Sequence, residues 1–249
     1  MRNRFSCGVG SVLAAVVLTA CGGGGDGGGS DGYYASTGSY AQEPAKPAQE
    51  DKEAPAIVEG CTVELYGDSI MAGNGTSETP ARTLQRLRPG LQIVADHSVP
   101  GTTLAMLYSK FADEPRTARY VVIENGVIDA WRGVPVQPFL NTYSVLIEKL
   151  RSEGRVPVLT GFSRQTGPIK GGNVLLRDSF DAAVRSYAEA SGVAFANWGD
   201  VPFHGSSDLL DTVHPNKAYS DRLVEQLALM LDKVAPECAS VDSSRATES

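Results

Sequence analysis

Thr62-Val63-Glu64-Leu65-Tyr66-Gly67-Asp68-Ser69-Ile70 opens the folded part of the chain: a β-forming run meets a glycine and then two short polar side chains. A short apolar run bounded by a turn signal reads as a buried strand, Thr62–Tyr66, ending in a tight loop. Four runs of the same kind follow at Leu91–Ala95, Tyr120–Ile123, Val156–Thr160 and Val193–Ala196. Longer amphipathic stretches separate them. In one, Leu140, Tyr143, Ile147 and Leu150 recur at helical spacing until Gly154 stops the helix. In the next, Asn173 is the expected N-cap, and Leu176, Phe180, Ala183 and Tyr187 make the apolar stripe. In the last, Pro215 is expected to open the helix, with Leu223, Leu227, Met230 and Val234 facing inward. Strands alternating with helices predict a parallel sheet covered on both faces. The expected fold over residues 57–239 is therefore a three-layer α/β/α domain, doubly wound and flavodoxin-like, with five parallel strands. Ligands of such sheets sit beyond the carboxyl ends of the strands, so chemistry is sought in the loops there.

Composition narrows the partners. The 249 residues are 42% hydrophobic, enough to build a core. Twenty-two basic residues against 29 acidic give a net charge of −7, which argues against nucleic acid and against a polybasic membrane-docking face. Four Cys and three His, with no Cys-x-x-Cys pair, supply little for a metal site. No metal or organic cofactor is implied.

The ends read as export and tethering signals. Arg2 and Arg4 precede the apolar run Cys7–Ala20, which is too short to span a bilayer and suits a signal-peptide core. Its end, Leu18-Thr19-Ala20-Cys21, resembles the bacterial lipobox, which implies cleavage before Cys21 and a lipid on that residue. Removing residues 1–20 takes away two arginines and leaves 20 basic against 29 acidic residues, a net −9. Gly22 rather than Asp after the cysteine is similar to enterobacterial lipoproteins sorted to the outer membrane, which implies that location, facing the periplasm. Residues 21–56, with nine glycines and then Ala, Glu, Lys and Pro, have too few large aliphatics to fold. Such a tether reaches roughly 30–35 Å. Residues 240–249 read as a disordered tail. With Cys7 removed and Cys21 lipidated, Cys61 and Cys238 remain, and an oxidising compartment predicts a disulfide between them.

Gly67-Asp68-Ser69-Ile70 near the start and Asp211-Thr212-Val213-His214-Pro215 near the end together resemble the SGNH, or GDSL, hydrolase family. Two intermediate blocks extend the likeness. Asp96-His97-Ser98-Val99-Pro100-Gly101 is similar to the family's second block, whose glycine supplies an oxyanion amide. Gly126-Val127-Ile128-Asp129 stands where the family has Gly-x-Asn-Asp, with Ile128 in place of the asparagine. The resemblance implies an esterase acting on acetylated glycans or lipids, an acyltransferase of the same fold, or a binding lipoprotein that has kept the fold.

The residue types argue the same chemistry. A serine hydroxyl needs a base during attack, and His214 is the best one available. Asp211, three residues back, can hold the other ring nitrogen and fix the tautomer. The expected catalytic set is thus Ser69, Asp211 and His214. The expected oxyanion donors are the Ser69 and Gly101 amides and, replacing the missing asparagine, the Asn125 side chain. Ser69 has a plainer alternative as a helix cap. Asp68 and Asp129 read as loop-bracing carboxylates, and His97 and His204 as surface or packing residues. Trp131, Arg132 and Arg164 fall in loops on the active edge. Gly-x-Ser-x-Gly is absent, which excludes the nucleophile elbow of the α/β-hydrolases.

Overall fold

The structure, a computed structural model, describes residues 60–167 and 175–239. The expected leader, the tether with Cys21, the tail and the Asn173 cap lie outside those residues. The strands are β1 (Thr62–Gly67), β2 (Gln92–Asp96), β3 (Tyr120–Glu124), β4 (Val156–Thr160) and β5 (Ala194–Ala196), each boundary within one residue of expectation. They form one all-parallel sheet in the order β2-β1-β3-β4-β5, the flavodoxin-like order.

Side-chain alternation along the strands divides the core in two. Tyr120 and Val122 of β3 enter one cluster with Val63, Leu65, Leu223 and Leu227, while Val121 and Ile123 enter the other with Phe139, Tyr143 and Phe180. The first cluster is covered by α1 (Pro80–Leu87) and α6 (Lys217–Val234), the second by α2 (Leu104–Asp113), α4 (Val136–Ser152) and α5 (Leu175–Ser191). A short α3 (Val127–Trp131) follows β3, and α7 (Pro236–Ala239) ends the described chain.

Two expectations about helices are corrected. Pro215 does not open α6. It bridges Leu209 in an antiparallel pair, and Asn216 caps the helix by accepting from the Tyr219 N–H at 3.0 Å. An Asn beside a Pro competes for the same role, and its side-chain acceptor decides. In α5 the buried stripe is Arg177, Phe180, Asp181, Val184 and Ala188, with Leu176 and Tyr187 only partly covered. Asp181 tolerates burial because its Oδ1 accepts from the Phe162 N–H at 2.7 Å just beyond β4, a bond hydrophobic periodicity cannot register.

Candidate active site

β1 delivers Ser69 to the carboxyl edge of the sheet. Gly67 is required there: a Cβ would collide with that of Met71 and lie 2.9 Å from Glu124 Oε2. The chain then folds into a turn in which Ala72 N–H donates to Asp68 O at 3.0 Å and Asn74 N–H to Ser69 O at 2.9 Å. Ser69 caps no helix; Thr79 does so for α1.

The loop before α6 is braced by two bonds. Leu210 N–H donates to His214 O at 2.8 Å, and Asn216 N–H to Asp208 O at 2.8 Å. Within it, Asp211 Oδ1 accepts from the backbone N–H of Val213 (2.7 Å) and His214 (2.8 Å), which aims Oδ2 at His214 Nδ1, 2.7 Å away. His214 Nε2 faces Ser69 Oγ at 3.0 Å. A carboxylate only accepts, so Nδ1 carries the ring proton and Nε2 is left to accept from the serine hydroxyl. Burial would raise the Asp211 carboxyl, but the ring and backbone donors outweigh it and hold it below the usual carboxylate range. The structure thus brings together all three residues of the expected set. It adds one that sequence reasoning missed: Asn74 Nδ2 lies 3.3 Å from His214 Nε2.

Neither the Ser69 nor the Gly101 N–H donates to a protein acceptor among the described residues. Both remain available for an oxyanion. Gly101 adopts φ +85°, which an L side chain would disfavour.

Asn125 differs from expectation. Its side chain is fully buried, and Nδ2 donates to Thr102 O at 3.0 Å, so it pins the loop next to Gly101 rather than offering a free amide. Asn125 directly follows β3, and Tyr143 Oη donates to its carbonyl at 2.6 Å. Ile128 at the start of α3 supplies no side-chain donor. Loosening the Gly101 amide should cost less than the roughly hundredfold loss of a whole donor. Asn125→Ala is therefore expected to lower kcat roughly tenfold with little change in KM. A lowered melting temperature with kcat kept would reduce it to a packing residue.

Beneath Ser69 lies a buried carboxyl pair. Glu124 Oε2 accepts from the Asp68 N–H at 3.2 Å, and Asp68 Oδ1 accepts from the Ile70 N–H at 2.9 Å. Burial pushes Asp68 up to about 6, and burial plus the Asp68 charge pushes Glu124 well above its ordinary range. Carboxyls raised on folding stabilise in their protonated form. That contribution is complete below the unfolded value, 3.8 for Asp68, and is lost as pH rises through about 6. Glu124→Gln, which mimics the protonated partner, is expected to flatten this pH dependence. At pH 8 it should raise the melting temperature by about 2–4 °C for each kcal/mol of burial penalty removed with the ionisable Glu124 carboxyl. An unchanged pH profile in thermal scans would refute it.

The remaining candidates disperse. Asp129 Oδ2 accepts from the Leu104 N–H at 2.9 Å and braces α2. His97 stacks on Tyr66, with ring centroids 4.5 Å apart, and His204 pairs with Asp208. Trp131 packs against the core and Arg132 is exposed, whereas Arg164 donates to Gly199 O at 2.9 Å beyond β4.

Residues 65–222 match the family model described as the GDSL-like lipase/acylhydrolase family. No curated protein sequence matches the chain at a significant level. Among solved structures, a lipolytic protein of the G-D-S-L family from Desulfitobacterium hafniense DCB-2 is 21% identical, with a TM-score of 0.58, covering 69% of this chain and 99% of that one. TesA is 24% identical, with a TM-score of 0.56 and coverage of 70% and 99%. Axe2, an acetylxylan esterase from Geobacillus stearothermophilus, is 17% identical, with a TM-score of 0.56 and coverage of 71% and 96%. At these identities the likeness is one of fold.

Proposed function

Because the chain belongs to the GDSL-like lipase/acylhydrolase family, and so to the hydrolases of ester bonds, we propose that it is a serine esterase working through Ser69, His214 and Asp211. The observation that carries this reading is the continuous relay from Ser69 Oγ to His214 Nε2 (3.0 Å) and from His214 Nδ1 to Asp211 Oδ2 (2.7 Å). Ser69 Oγ attacks the ester carbonyl while its proton passes to His214 Nε2. The Ser69 and Gly101 N–H groups hold the oxyanion. The imidazolium, steadied by Asp211, then protonates the departing alcohol, and water deprotonated by the same nitrogen frees the acyl group. Acetylated glycans and lipids are the substrate classes that fit; that one structural relative is an acetylxylan esterase favours the first.

Labelling with a fluorophosphonate tests the reading. Covalent modification at Ser69, blocked by prior denaturation, is expected. An unlabelled, folded protein would overturn it.

A second element of the proposal is location. Cys21 carries the lipid of an envelope lipoprotein in the outer membrane, facing the periplasm, and residues 21–56 tether the esterase to it. The support is the Leu18-Thr19-Ala20-Cys21 sequence followed by glycines. Intact mass of the membrane fraction should show a chain beginning at Cys21 with a diacyl or triacyl addition. A soluble, unacylated periplasmic product would sink the idea.

A further inference from the structure

His214 Nε2 has two polar neighbours, Ser69 Oγ at 3.0 Å and Asn74 Nδ2 at 3.3 Å. The first carries the relay, and the second has no part in it. With the ring proton on Nδ1, held by Asp211, Nε2 only accepts, so Asn74 must face it with its NH2 group. A neutral ring nitrogen has one lone pair, which the serine hydroxyl uses. The amide is therefore a second donor at a place already taken.

The backbone beneath Asn74 is fixed from both sides. Its N–H donates to Ser69 O at 2.9 Å, which ties it to the nucleophile's turn. The next residue, Gly75, packs so closely on the loop carrying the base that a Cβ there would lie 2.8 Å from Leu210 Cδ1. Asn74 is nonetheless exposed, whereas His214 is buried. An exposed side chain in contact with Nε2 stands on the side from which substrate reaches the ring.

Protonation of the base changes what this donor can do. When Ser69 Oγ bonds to the carbonyl carbon, its proton passes to Nε2, which then has an N–H and no lone pair. Donor now faces donor, and the bond from Asn74 to the ring is lost. As the tetrahedral adduct collapses, the bond from carbon to the alcohol oxygen breaks and its electron pair stays on that oxygen. The oxygen takes the proton from Nε2 and must lie within hydrogen-bond reach of it. It therefore arrives beside Nδ2, whose N–H has just lost its partner, as negative charge grows on it. Asn74 gives up no proton; it supplies a hydrogen bond made in the transition state and absent from the resting enzyme, the kind that raises the rate. Turning the amide to accept from Nε2 through Oδ1 would instead compete with the leaving oxygen for the proton it needs.

We propose that Asn74 is a catalytic residue that donates through Nδ2 to the leaving-group oxygen, equipping the enzyme for esters of basic alkyl alcohols that do not depart unaided. The proposal deepens the serine-esterase reading and rests on it.

Three acetates that share an acyl group and differ in leaving-group basicity test it: 4-nitrophenyl, trifluoroethyl and ethyl acetate. Asn74→Ala should lower kcat/KM for ethyl acetate by roughly tenfold or more beyond its effect on 4-nitrophenyl acetate, with trifluoroethyl acetate between them. The gap is expected because 4-nitrophenoxide spreads its charge over the ring and needs little help. Asn74→Asp keeps an oxygen acceptor for the ring but removes the donor, and should open a gap at least as large. Circular dichroism verifies folding of both variants. Equal losses on all three esters would make Asn74 a positioning residue for His214 and overturn the proposal, as would no loss on any. Native turnover of ethyl acetate by Asn74→Asp would overturn it too, by giving the amide an accepting role. In each of these cases, fluorophosphonate labelling at Ser69 leaves the esterase reading standing. A native protein that hydrolyses none of the three overturns the proposal, and one that also fails to label takes the esterase reading with it.

Discussion

Ester hydrolysis by Ser69→Ala is expected to fall by roughly a thousandfold or more in kcat, with the fold retained. The size follows from the loss of the only atom in the relay that can form the acyl intermediate. The retained fold follows from local structure. The hydroxyl makes a single hydrogen bond, to His214 Nε2, while the turn around it is held by backbone groups at residues 68–74 that the substitution leaves in place. His214→Ala should cost a similar factor, and the double variant little more, because nucleophile and base act as one unit. Asp211→Asn puts an amide where the Nδ1 proton needs an acceptor and favours the wrong tautomer, costing up to roughly ten-thousandfold. Steady-state rates on a chromogenic acetate, with circular dichroism to verify folding, measure the whole series. Ser69→Ala retaining a tenth of native kcat would place the nucleophile elsewhere.

What was legible in the sequence was whatever is carried by neighbours. A parallel strand buried on both faces declares itself as a short apolar run, so all five strands and their parallel arrangement could be read directly. Asp211 and His214 were readable because three residues suffice to bring carboxylate and ring together across one turn. Ser69 was singled out because Gly67-Asp68-Ser69 near the start and Asp211-x-x-His214 near the end together resemble the blocks of the SGNH family. Residues whose meaning depends on distant geometry were not. Asn74 sits between Gly73 and Gly75 with no periodic signal, and meets His214 only because the turn after β1 folds back towards the last loop. The pairing of Glu124 with Asp68 required the register of β3 against β1, which sets Gly67 opposite Glu124. Asn125 was misread for a related reason. Proximity to Gly126 in sequence suggested the oxyanion, but just beyond β3 its amide donates to the Thr102 carbonyl. In α5, periodicity favoured apolar positions, whereas the fold buries Arg177 and Asp181, whose Nε and Oδ1 bond the Ser163 carbonyl and the Phe162 N–H beyond β4.

Removing the Cys61–Cys238 bridge is expected to lower the melting temperature by roughly 5–15 °C while leaving the relay intact. The two Cα atoms are 5.7 Å apart across a sequence separation of 177 residues. Closing a loop of that length restricts the unfolded chain by up to about 5 kcal/mol on the chain-entropy argument, and measured effects commonly fall short of it. At roughly 2–4 °C for each kcal/mol in a domain of this size, the stated range follows. The location of the bridge limits its reach into function. Cys61 directly precedes β1, whereas Ser69 lies beyond the opposite end, across a strand that spans roughly 20 Å. Without the bridge α7 is still held by Glu237, which accepts from Tyr120 Oη and pairs with Arg119, each at 3.0 Å. Cys61→Ala with Cys238→Ala is the cleaner test, because a serine at a fully buried position would add an unmet hydroxyl. The double variant should melt early yet keep kcat at 25 °C within about twofold of native. Reduction of the native protein should reproduce its melting curve. Two readily alkylated thiols in the oxidised, folded protein, or a melting temperature indifferent to reductant, would show that the bridge contributes nothing.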